Sequence, residues 1–160
     1  MKSIMKLLPW KLGLLLSVAT LILLIIFNFY GLYTNKFYFF KLDNYLLPLL
    51  TIIHFAFLYV LWFKIREDEV TDLPMRYLEY GLYAIIPIYV YKLIDTFAIL
   101  LSAGEFESYA IPGTFLPIGI FMLLLYLFLI GLTFLSFQYR RVLVGTYNFD
   151  EINRHIDSWE

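Results

Sequence analysis

Four stretches of the chain stay apolar long enough to cross hydrocarbon, which takes about 20 helical residues at a rise of about 1.5 Å each. They are residues 12–30, 45–63, 80–101 and 115–137, separated by polar connectors. The pattern predicts an all-α integral membrane fold: four transmembrane helices as two hairpins over residues 1–139, then a cytoplasmic tail, 140–160, with a short amphipathic helix. Lys2, Lys6 and Lys11 precede the first stretch as they would a signal peptide, but "FNFYGLYTNK" follows without a small-residue cleavage site. An uncleaved first helix is expected. Asp43 or Asn44 is placed to cap the second helix and Thr114 the fourth, with Pro48 and Pro117 in the first turns, where a missing N–H costs little. Pro87 lies inside the third helix and is expected to kink it.

Charge position then sets an orientation. Lys2, Lys6, Lys11, Lys64, Arg66, Arg76, Arg140, Arg141 and Arg154 fall on one side, nine against Lys36 and Lys41 on the other. Basic residues in short loops favour the cytoplasm, so both termini are expected there, in a multi-pass protein of the cell membrane. Trp10 and Trp62 fall at the same inner level, where indoles prefer the headgroups.

Helices in lipid associate by close backbone approach, so small residues mark packing faces. Gly13 and Ser17 lie on such a stripe in the first helix, with Thr20, Asn28 and Gly31. Gly81 and Ala84 lie on one in the third, with Ile88, Lys92, Asp95 and Ser102. Lys92 and Asp95 are therefore expected to face protein. Their spacing of three lets them touch, and Cα–Cβ tilt aims Lys92 toward the bilayer centre. An unpaired charge there costs at least about 2.5–3.5 kcal/mol, so mutual pairing is the first expected use of both. His54 near the middle of the second helix, Asn28, Tyr89, Tyr91 and Tyr126 lie at similar depths, and one polar cluster opening outward would gather them. Whether the pair is structural or belongs to a proton, ion or ligand site stays open, since intramembrane ionisable groups are candidates for function.

Composition agrees and excludes chemistry. Hydrophobic residues make up 62% and aromatic residues 21% of the chain, against roughly 45–50% apolar in soluble domains. Cysteine is absent, which removes disulfides, thiolate metal sites and thiol catalysis. A net charge of −1 argues against nucleic acid as partner. No phosphate loop, H-E-x-x-H or G-x-S-x-G motif occurs, and with one histidine in the membrane segments bis-histidine haem within one chain is excluded. No cofactor or metal is expected. Glu67, Asp68, Glu69 and Asp72 in "KIREDEVTDLP" are oxygen donors of the kind divalent cations take, and read first as a solvated loop.

In the tail, Asn148 and Glu151 have capping-box spacing, and Phe149, Ile152, Ile156 and Trp159 share one helical face. The flanking charges are mostly acidic, so the helix is expected to dock on protein, its own bundle or a partner, rather than on anionic lipid. The leading expectation is a noncatalytic integral subunit or scaffold of a homo-oligomer or larger membrane complex, engaging a cytoplasmic protein partner. The alternative is a small transporter or channel using Lys92, Asp95 and His54.

Overall fold

A computed structural model describes residues 8–102 and 111–147. Helix α1 spans Trp10–Asn28 and starts after Pro9, whose extended backbone stands outside the helix. A two-residue strand β1, Tyr30–Gly31, pairs antiparallel with β2, Lys36–Phe37, an element that the apolar periodicity does not announce. The turn between them holds Asn35 at φ 53°, a left-handed conformation asparagine tolerates better than most residues. A 3₁₀ turn, Leu42–Tyr45, leads into α2, Leu46–Arg66. Helix α3 spans Leu73–Leu101 and α4 Phe115–Tyr139, which runs on into a π turn, Arg140–Val144. All four helices are long and apolar enough to span a membrane.

Three boundary expectations need correction. No side-chain cap bond starts α2; Asn44 instead donates to the Tyr38 carbonyl at 3.0 Å. Thr114 stands at the N-cap of α4 without a side-chain cap bond; its hydroxyl lies 3.4 Å from that of Tyr30 instead. Helix α3 begins at Leu73, seven residues ahead of the expected start at Tyr80, because Asp72 caps it by accepting from Met75 N–H at 2.9 Å, with Pro74 in the first turn. Arg76 and Glu79 lower the hydropathy of that stretch without ending the helix. Pro87 lies inside this helix, as its position in the third apolar stretch placed it.

Each helix packs on its chain neighbours, and α1 meets α4 to close the ring. Contacts between opposite ends make neighbours antiparallel: Tyr139 O–H donates to the Leu8 carbonyl at 2.7 Å, and Phe27 meets Phe121 edge-on. Gly13 permits the α1–α4 approach, since a Cβ there would come within 2.8 Å of the Tyr139 ring. Ser17 lies buried on the same face and returns its hydroxyl to the Gly13 carbonyl. Gly81 faces Ile53 of α2, whereas Ala84 lies on the exposed side of α3. Leu21, Leu24, Phe57, Leu61, Leu82 and Leu129 fill the interior. In lipid, their contribution is dispersion and shape fit rather than release from water.

Candidate functional site

The bundle has two polar ends. At the hairpin end, a cavity of about 420 Å³ opens among α1, α3, α4 and the β1–β2 hairpin, lined in part by Asn28, Lys92, Asp95, Thr96, Met122 and Tyr126. The hairpin is held over it by the Tyr33 hydroxyl, 2.7 Å from that of Ser102, while Asn28 donates its amide to the Asn44 carbonyl and ties the end of α1 to the 3₁₀ turn ahead of α2. Lys92 and Asp95 are half-buried and share the wall. Among the described residues no ion pair joins them, or either of them to another side chain. The spacing of three lets such residues meet but does not oblige them to, because an open cavity keeps both heads solvated.

The remaining members of the expected cluster lie elsewhere. His54 is fully buried between α2 and α3, with Nδ1 3.1 Å from the Tyr89 hydroxyl and the rings stacked at 5.9 Å. Its Nε2 has no partner among the described residues, and it does not line the cavity. Tyr91 is 64% exposed on the outer face of α3. Of the seven residues expected in one cluster, the structure brings Asn28, Lys92, Asp95 and Tyr126 together.

The opposite end holds a site that sequence reasoning missed. Glu79 of α3 is 1% exposed and accepts from Arg140 twice, Nε to Oε2 at 2.7 Å and Nη2 to Oε1 at 2.6 Å. Tyr83 donates to Oε1 at 2.9 Å and Tyr147 to Oε2 at 2.5 Å. Arg140 also reaches the Gly145 carbonyl and lies over the Tyr147 ring at 4.4 Å. Each carboxylate oxygen thus accepts two bonds, the saturation that lets a buried ion pair persist. Burial raises the Tyr147 phenol pKa first, and its hydrogen bond to Glu79 adds to the rise, so it stays a donor. Both charges lay just beyond the apolar windows, Glu79 one residue before the third. The "TDLP" cap signal, read as a helix start, would have placed Glu79 inside.

Beside it, Lys64 is buried and binds Glu69 at 2.9 Å and Asp72 at 2.8 Å, while Arg66 pairs with Glu67. Burial alone would raise the Asp72 pKa; the Lys64 hydrogen bond and charge and the Met75 N–H outweigh it and hold that carboxyl below its ordinary value. The acidic loop is thus tied down by lysine at two of its carboxylates. No group of three potential metal ligands forms among the described residues. Lys64 and Arg140, two of the nine basic residues behind the orientation, are buried and paired. The docking residues Phe149, Ile152, Ile156 and Trp159 lie outside the described residues.

Together these features suggest a multi-pass membrane protein built as a four-helix bundle. No protein-family model, curated protein or solved structure matches the chain.

Proposed function

We propose that the chain is a noncatalytic multi-pass membrane protein that takes a small, charge-bearing polar solute into the cavity at the hairpin end. The observation that carries this reading is the cavity wall itself, where a cation and a carboxylate, Lys92 and Asp95, stand without closing on each other. Polar groups at helix depth are costly to keep, and a pocket of this size with a few convergent polar groups is the usual form of a small-molecule site. With both termini cytoplasmic, as the basic residues argue, the cavity faces outside.

Thermal unfolding across amino acids, small carboxylates and alkylammonium ions tests it. A binder stabilises by about 2.7 kcal/mol at a hundredfold excess over Kd, and the shift should vanish in Lys92→Met/Asp95→Leu. No shift with any solute, or the same shift in the variant, overturns the reading. Orientation is tested separately: Cys at Asn35 should react with an impermeant reagent in intact cells and Cys at Asp68 should not.

A second reading, a scaffold subunit of an oligomer or larger complex, is favoured by the outer face of α3. Tyr77, Tyr80, Ala84, Tyr91 and Ile94 form one exposed stripe there, and phenols facing lipid gain from a neighbouring helix that offers acceptors. A solute-inert protein that co-purifies with a fixed partner favours this reading, with Ile156→Asp in the tail releasing any cytoplasmic partner.

A further inference from the structure

We infer that the groove between α1 and α2 is a binding site for one anionic phospholipid of the bilayer. These are the least extensively packed neighbours in the ring, and they leave a groove of about 560 Å³ between them. Leu14, Leu15, Val18, Phe55 and Leu58 wall it, with Lys11, Tyr59 and Trp62 completing the lining. The long wall offers no hydrogen-bond partner, so a polar solute gains nothing along it, whereas an acyl chain fills it by dispersion. Both helices containing it are apolar enough to lie in hydrocarbon, so the groove opens onto lipid.

The end of the groove chooses the headgroup. Lys11 lies 5.5 Å over the Trp10 ring and Arg66 5.1 Å over that of Trp62. Two indoles and two cations therefore gather at the level where Trp and basic residues meet headgroups. Lys11 is exposed and forms no ion pair among the described residues, and Arg66 has only the exposed Glu67 at 3.4 Å. A phosphate without a compensating cation suits this end. A choline headgroup would compete with cations already on one face of each indole.

Delipidated full-length protein offered equal phosphatidylglycerol and phosphatidylcholine, then examined by native mass spectrometry, should retain one phosphatidylglycerol with several-fold preference. Lys11→Gln should bring the two lipids to parity. Val18→Trp, which fills the groove from a half-buried position, should remove the bound lipid of either kind while the protein remains folded by circular dichroism. Parity in the wild type, preference unchanged in Lys11→Gln, or full retention in a folded Val18→Trp overturns the site. If Val18→Trp does not fold, Leu15→Trp on the exposed rim replaces it with the same expected loss. Solute binding at the hairpin end is not required for any of these outcomes.

Discussion

The two ends of the bundle treat charge in opposite ways. Glu79 and Arg140 are sealed in protein, bidentate, and saturated by two tyrosine hydroxyls and a backbone carbonyl. Lys92 and Asp95 are half-buried on a cavity wall with no ion pair between them. The Glu79 carboxylate, with two bonds on each oxygen, has no lone pair left for a ligand, and the pair acts on the fold, joining α3 to the end of α4. An unjoined pair on open space is available to something else. Charge within a helix is therefore informative only together with what surrounds it.

The comparison breaks first at the closed end. Glu79→Ala or Arg140→Ala leaves a buried charge without its counterion and should cost about 3–5 kcal/mol, read as lowered unfolding free energy in detergent. Joint replacement by Glu79→Leu and Arg140→Met should recover much of it. A single variant as stable as the wild type would show that this end is wetter than its geometry states.

A smaller effect is expected where the segment after α4 is attached. Tyr147→Phe removes one hydrogen bond to a charged acceptor, about 1.5–3 kcal/mol by the usual range for such bonds, and the lower figure is expected because Tyr147 is only half-buried. Thr71, which donates to the Thr146 carbonyl at 2.9 Å, continues the same clamp. Proteolysis after α4 should therefore accelerate in Tyr147→Phe, and an unchanged cleavage rate would remove the tyrosine from the clamp.

How much of this was readable beforehand follows from the physics of each signal. Four spans were legible because about 20 apolar residues have few other uses. A packing face of α1 was legible at Gly13, where the absence of a side chain marks close approach, but nothing local named α4 as the helix that meets it. The closed ionic site was not, since hydropathy averages over a window and Glu79 and Arg140 sit where it is falling. Its partners lie 61 residues apart, a separation no local pattern encodes. His54 beside Lys92 in depth looked like one cluster, but depth says nothing of azimuth, and the helix turns it toward Tyr89 instead. The hairpin over the cavity has strands of two residues each, too short for alternation to register.

Asp72 supplies the next test. Its folded pKa lies below the ordinary 3.8, so its contribution is fully present above that value and is lost as pH falls through the folded pKa. Stability should therefore decline in acid more steeply in the wild type than in Asp72→Asn. The side chain is 41% exposed, so solvent screening limits its Lys64 pairing to about 1 kcal/mol or less. Equal acid slopes would mean that the bridge to Lys64 contributes nothing measurable.

The smallest stability effect should come from the residues with the most prominent charges. Lys92→Ala or Asp95→Ala alone should change unfolding by only about 0.5 kcal/mol, the usual range at positions without a specific contact, because neither leaves a sealed partner behind. Their coupling in a double-mutant cycle should be near zero, in contrast with the strong coupling expected between Glu79 and Arg140. Under the proposed reading the same variants lose solute-dependent stabilisation while folding is unchanged, so structure and binding separate on the same protein. A coupling of several kcal/mol between Lys92 and Asp95 would make both ends alike. The pair would then be a second lock that closes across the cavity wall, and the solute would have to bind elsewhere.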